Sequence, residues 1–207
     1  IVRTPAETYT SEDRFQREWG SFFLDHPQII GMSGDLPNPD TFLTTEDFGM
    51  PVLATRNSNG EFKAYANVCA HRGVIIEDAP RGDKSKFSCP FHGWTYNNEG
   101  ALIGYPKSDQ FGKIDKDCYG LKELPSVEKF GFLWVHPSPE GDINLDELLG
   151  DDLIKEFSKW NFSDLVFANE ETYQTEMNWK LAIDTFGETY HFSVLHKDSL
   201  FQNFHGN

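Results

Sequence analysis

Cysteine, basic residues and long apolar runs are all scarce in this 207-residue chain, and each scarcity removes a class of protein. Three cysteines, Cys69, Cys89 and Cys118, are too few for a disulfide scaffold and fit a reducing, cytoplasmic compartment. Apolar runs extend over only a few residues, so no membrane-spanning helix is expected. The first residues, Ile1-Val2-Arg3-Thr4-Pro5, lack the apolar core of a signal peptide, and the missing initiator Met reads as a trimmed or partly ordered start. Basic residues number 18 against 33 acidic ones, for a net charge of −15. That balance argues against nucleic acid or an anionic membrane as partner. It would suit a basic patch on a redox partner, although a solvated acidic surface is the ordinary outcome of such a composition. What the chain does have is 38% hydrophobic and 14% aromatic residues, enough for one large domain or two small ones with a real core.

Thr10-Ser11-Glu12-Asp13 can cap a helix whose apolar residues include Phe15 and Trp19. Residues 31–51 are rich in Gly, Pro, Asn and Asp and read as loop. The pattern then turns to β. Val52–Thr55 and Phe62–Ala66 flank Asn57-Ser58-Asn59-Gly60, a hairpin signal, and Trp94–Tyr96 and Ala101–Ile103 flank Asn97-Asn98-Glu99-Gly100 in the same way. A further strand, Gly131–Val135, closes a β region that spans about Leu43 to Pro137. Its turn spacing, roughly every 8–12 residues, is that of a small sandwich or barrel. Beyond Pro139-Glu140-Gly141 we expect a short helix at Leu145–Leu149, a partly strand-like stretch at Ser163–Thr175, and a long helix over Asn178–His196 with Gly187 as its weak point. No internal repeat is present.

Two Cys-His pairs stand out: Cys69-Ala70-His71 and Cys89-Pro90-Phe91-His92, each where a strand runs into a turn. A 2Fe–2S cluster needs two ligands per iron. Replacing two thiolates by imidazoles on one iron gives a Rieske centre, with a potential raised to roughly −150 to +300 mV. Gly73, Gly82 and Gly93 would let the ligand loops turn tightly and bring backbone N–H groups near the sulfurs. Two Cys and two His could also bind zinc, but the mixed pairs do not follow zinc-finger spacing.

The run from Asn178 to His196 carries the second constellation. On a regular helix Asp184, Glu188, His191 and Leu195 would share one face, while His196 would point away. A widened turn or the helix end could bring His191 and His196 to one metal. Two His and one carboxylate on one face of an iron leave positions open for O2 and substrate. The plain alternative is an amphipathic helix with two incidental histidines.

The loops Cys69-Ala70-His71-Arg72-Gly73 and Cys89-Pro90-Phe91-His92-Gly93-Trp94 resemble the Rieske family, and its oxygenase branch in particular. The cytochrome-complex branch carries an extra Cys in each loop. Val74 and Phe91 stand there instead, so that disulfide cannot form. The downstream run resembles the mononuclear-iron helix of Rieske non-haem iron oxygenases, including its Asn178-Trp179-Lys180 lead-in and Tyr190-His191. The resemblance implies that Cys69 and Cys89 bind the inner iron of the cluster and His71 and His92 the outer one. It makes His191 and His196 ligands of a mononuclear Fe(II), and it gives Glu188 the place of the acidic residue linking one subunit's cluster to its neighbour's iron. The chain departs from the pattern in three ways: Ala70 replaces a frequent Pro, Glu188 a frequent Asp, and Asp184-Thr185 a frequent Glu-Asn. Asp198 is too close to His196 to be the third ligand, which the family places beyond Asn207, so the chain reads as a fragment or as partly disordered. Cys118 has no partner in the motif and reads as a small core residue.

The expected fold is α+β. An N-terminal helical segment (1–42) would pack on the catalytic domain, an all-β Rieske domain would span 43–137, and 138–207 would begin an α+β catalytic domain. The function implied is that of a terminal oxygenase acting on a small organic, expectedly aromatic, substrate in aromatic hydrocarbon catabolism, by dihydroxylation, monohydroxylation or demethylation. Its electrons would come from a ferredoxin or flavin reductase, and it would assemble as a homotrimer or an αβ hexamer. The rival reading is a Rieske ferredoxin, an electron carrier needing only the β domain.

Overall fold

The computed structural model describes residues 3–112 and 114–204. Among these the strands are, in chain order, β1 Gln28–Met32, β2 Thr41–Thr45, β3 Val52–Arg56, β4 Phe62–Ala66, β5 Arg81–Asp83, β6 Lys86–Ser88, β7 Thr95–Asn97, β8 Leu102–Gly104, β9 Glu123–Leu124, β10 Ser126–Lys129 and β11 Phe132–Val135. They form three antiparallel sheets, ordered β1-β11-β10, β5-β2-β3-β4-β9 and β6-β7-β8.

Both expected hairpins are present, and one device makes both. In the β3–β4 turn the Asn57 side-chain oxygen accepts from the backbone N–H of Asn59 and Glu61, at 3.0 and 2.9 Å. In the β7–β8 turn Asn97 does the same for Glu99 and Ala101, at 3.2 and 2.8 Å. An Asn side chain that imitates a turn carbonyl, three residues before a glycine at positive φ (Gly60 at 83°, Gly100 at 77°), fixes the register of each hairpin.

The helices are α1 Glu7–Thr10, α2 Glu12–Glu18, α3 Leu145–Phe157, α4 Trp179–Phe186 and α5 Phe192–Leu195. Ser11 caps α2 by accepting from Arg14 N–H at 3.3 Å, and Phe15 stacks on Trp19 one turn later. α3 is longer than the sequence suggests, with an interruption at Gly150 (φ 65°). Three expectations about elements are corrected. Residues 31–51 are not all loop: they hold the end of β1 and the whole of β2, which pairs with β3 and β5. Residues 163–175 form no strand: a 3-10 turn at Phe162–Asp164 is followed by irregular chain, because a strand-like composition brings no partner ladder with it. The stretch 178–196 is not one helix, for a reason that belongs to the site below.

Two compact units emerge, one of Gly20–Asn169 and one of Ile1–Trp19 with Glu170–Asn207. In the first, the main core packs Phe42, Leu53, Tyr65, Ile76, Phe87, Trp94, Tyr96, Leu102 and Leu121 around Cys69 and Cys89. Phe42 and Phe87 meet edge to face with centroids 5.3 Å apart. Gly82 lies in β5, where a Cβ would stand 2.7 Å from the Phe42 ring; its smallness serves packing, not the ligand turns expected of it. Cys118 is exposed in a 3-10 turn, not buried in the core. Its thiol is pushed up by the charge of Asp115 and by the bond to it.

Gly100 combines a positive φ with a Cβ position 2.5 Å from Tyr65 Cε1. Gly100→Ala should therefore lose about 2–4 kcal/mol of stability, from left-handed strain and overpacking together. Denaturant unfolding monitored by tryptophan fluorescence would measure it; a midpoint unchanged from wild type would contradict this packing.

Candidate functional site

Cys69 and His71 sit on the connection from β4 to β5, and Cys89 and His92 on the turn between β6 and β7. The two turns are copies of each other. Cys69 N–H donates to Val74 O at 2.8 Å and Gly73 N–H to Cys69 O at 2.9 Å. Cys89 N–H donates to Trp94 O at 2.8 Å and Gly93 N–H to Cys89 O at 2.9 Å. Gly73 and Gly93 take φ of 71° and 70°, which closes each turn. An isolated bridge between Val68 and Ile75 extends the first turn into a short finger.

Each turn buries its cysteine and lifts its histidine outward. Cys69 and Cys89 are each 3% exposed and belong to the main core, whereas His71 is half-buried and His92 exposed. The two imidazoles face each other with centroids 4.7 Å apart. Trp94 stacks flat on His71 at 4.8 Å, Phe111 closes edge-on against both, and Phe91 lies 3.9 Å from His92. Burial first, then the charges of His92 and Arg72, lower the pKa of His71 and favour the neutral imidazole that a metal requires.

Among the described residues no three His, Cys, Asp or Glu side chains converge on one point. A single zinc ion would need such convergence. A two-iron cluster asks only two protein ligands of each iron, and two pairs, thiols inside and imidazoles outside, are what these turns present. The donor set therefore suits a 2Fe–2S cluster.

Tyr96, two residues past Trp94 on β7, was not singled out by the sequence. Its hydroxyl lies 3.2 Å from Cys69 Sγ and accepts from Ala70 N–H at 3.1 Å. Burial, reinforced by the bond to Cys69, raises its pKa and keeps it a phenol, free to donate to a thiolate. The signal available was period two: Trp94 and Tyr96 alternate with Thr95 where the chain leaves the turn, and both are buried.

In the other unit, Asn178 caps α4 by accepting from Lys180 N–H at 3.1 Å, and α4 ends at Gly187, whose N–H reaches Ile183 O. Glu188 stops the helix. Its carboxylate accepts from Tyr190 N–H and from His191 N–H (the latter at 3.3 Å), in the turn that leads into α5. Its other oxygen pairs with His191 Nδ1. These bonds, that to the His191 ring first, hold the Glu188 carboxyl below the usual carboxylate range. The break brings the two histidines together: His191 opens α5, His196 closes it, and their centroids are 5.4 Å apart. Phe192 meets both rings edge-on and Phe204 closes against Phe192. With Nδ1 of His191 engaged, its Nε2 is the nitrogen left for a metal. These side chains fit two ligands of a mononuclear iron, and no third protein ligand converges with them among the described residues.

Comparison with known proteins finds a match for each of the two parts of the chain. Residues 26–128 match the model of the Rieske [2Fe-2S] domain, and residues 162–206 that of the ring hydroxylating alpha subunit catalytic domain. The alpha subunit of toluate 1,2-dioxygenase from Pseudomonas putida is 31% identical over 95% of this chain and 45% of its own length. The oxygenase subunit of glycine betaine monooxygenase from Chromohalobacter salexigens is 28% identical over 95% of this chain and 43% of its own length. Among solved structures, a quaternary ammonium Rieske monooxygenase in complex with L-carnitine superposes with a TM-score of 0.83 at 25% identity, over 93% of this chain and 55% of that one. The chain thus spans about half the length of the relatives it matches.

With a cluster bound at these turns, Tyr96→Phe should lower its reduction potential by roughly 40–60 mV, the value of one hydrogen bond of about 1 kcal/mol in a one-electron couple. An EPR-monitored redox titration would show it; an unshifted potential would mean that the phenol does not donate to Cys69.

Proposed function

Because the chain belongs to the Rieske oxygenase alpha subunits, with a Rieske [2Fe-2S] domain followed by the beginning of a ring-hydroxylating catalytic domain, we propose that it is the electron-receiving part of a terminal oxygenase. One observation carries this reading: a single chain holds the twin Cys-His turns and, separately, a His191–His196 pair ordered by Glu188. A ferredoxin-type electron carrier needs only the turns.

The cluster, when bound, stores one electron at a time, and the mononuclear iron, when bound, supplies O2 activation. The chain's own residues do the rest. Cys69 and Cys89 hold the cluster from the core side and His71 and His92 from the solvent side. Trp94, Phe111 and Phe91 pack against the imidazoles and fix their planes. His191 and His196 hold the iron, and Glu188 keeps the His191 ring turned toward it by accepting from Nδ1. Glu188 is also the candidate link to the cluster of a neighbouring subunit, since a carboxylate has lone pairs for a second imidazole.

Electrons would come from a ferredoxin or a flavin reductase, and the assembly would be a homotrimer or an αβ hexamer. Three cysteines without disulfides suit a cytoplasmic setting, and no helix among the described residues is long and apolar enough to cross a membrane. The relatives include enzymes named for toluate, glycine betaine and carnitine, so the substrate class is drawn as small organic molecules, without the restriction to aromatic compounds that the sequence suggested.

The full-length protein should contain one iron more than the two of its cluster. His191→Ala and His196→Ala should each lose that iron and abolish oxygenation while the Rieske EPR signal persists; Cys89→Ser should lose the signal itself. Glu188→Gln should keep both centres and slow reoxidation of the reduced cluster in a single turnover. Toluate, glycine betaine and carnitine, offered under 18O2, make a first panel of substrates. Iron at two per chain, unchanged in both His variants, would favour the electron carrier; a colourless zinc protein would overturn the reading entirely.

A further inference from the structure

α4 has eight residues, none of them buried. A helix that short is marginal in water, so its position depends on what it is tied to. Three polar links tie it to the N-terminal segment within the same compact unit. Tyr9 Oη donates to Asp184 Oδ2 at 2.6 Å, across 175 positions of sequence. Asn178 Nδ2 donates to Tyr9 O at 3.2 Å, so the side chain that caps α4 also grips α1. The Lys180 ammonium pairs with Glu18, the last residue of α2, and the two side chains are only 14% and 11% exposed. Glu18 is held in turn by Arg14 Nε at 2.8 Å.

The ends of α4 make this more than fastening. Asn178 caps it, its first turn carries Lys180, its last turn carries Asp184, and Gly187 and Glu188 follow at once. A rotation or slide of α4 would displace Glu188, and with it the Nδ1 bond that sets the His191 ring. Asp184 is also spoken for: its carboxylate accepts the Tyr9 hydrogen bond, which raises the phenol's pKa, while Lys180 and then Arg14 hold Glu18 below the usual carboxylate range.

We propose that Tyr9, Glu18 and Lys180 are positioning residues that staple α4 to the N-terminal helices and so set Glu188 and His191 for metal binding. This rests on the reading of His191 and His196 as iron ligands. None of the three touches the metal site; each acts through α4.

The test uses the full-length protein with Tyr9→Phe, Glu18→Lys, Lys180→Glu and the double reversal, beside His191→Ala. Three quantities are read: loss of Fe(II) to excess chelator, the ligand-field absorption of Co(II) in the same site, and the Rieske EPR signal as a control of folding. Tyr9→Phe and the single reversals should speed iron loss roughly tenfold and shift the cobalt bands, at the low end of what outer contacts contribute to metal sites. The cluster signal should stay unchanged, and the double reversal should restore retention. Wild-type iron loss and cobalt bands in Tyr9→Phe, with iron lost in His191→Ala, would overturn the proposal and spare the ligand assignment. A double reversal that fails to restore retention while the cluster signal is intact would also count against it. Iron kept in His191→Ala would remove both.

Discussion

The first compact unit depends on one constraint: two cysteines must lie inside the hydrophobic core while the histidine two or three residues later in each turn reaches the surface. Cys69 and Cys89 pack among Phe87, Trp94 and Tyr96, and the twin turns carry His71 and His92 outward. A backbone N–H from Cys to the residue five on, and one returning from a glycine at positive φ, is enough to do this twice. The sheets supply the rest. β6 and β7 hold one turn as a hairpin tip, and β4 and β5, on either side of the five-stranded sheet's centre, frame the other. Burial of the thiols excludes water from the sulfur side and leaves hydrogen bonding to groups such as Tyr96, so core packing and electrostatics at the sulfurs are decided by the same residues.

Aromatic rings carry the solvent side. Trp94 is both a core residue and the plane on which His71 rests, and Tyr105, Phe111 and Tyr119 gather around it. The orientation of an imidazole that would face solvent is thus inherited from the interior.

The second unit solves a different problem. A regular helix cannot place residues 191 and 196 on one side, and the chain escapes by ending the helix. Glu188 does this with the carboxylate that also takes His191 Nδ1, so one side chain breaks the helix, holds the turn before α5 and sets the ring. Local geometry and metal geometry are thereby coupled: whatever moves Glu188 moves the pair. The reach of the N-terminal helices to α4 acts on that coupling from a distance in sequence that no local rule spans.

The sequence by itself determined whatever depends on short range. The hairpins follow from Asn-x-x-Gly between β-forming runs, and the ligand turns from Cys-x-His and Cys-x-x-His with a glycine after each. The family resemblance followed from those same few residues. Tertiary structure decided what depends on neighbours remote in the chain. Residues 163–175 have a strand's composition and no strand to pair with. Gly82 is small because of Phe42, forty positions earlier, and not because its own loop turns. Cys118 is apolar enough for a core, yet it sits in an exposed turn beside Asp115. Tyr96 reaches Cys69, 27 positions earlier, because both pack into one core. The long helix over 178–196 failed because propensity counts residues one at a time, whereas Glu188 chose between two sets of hydrogen-bond donors, and the donors of the turn won.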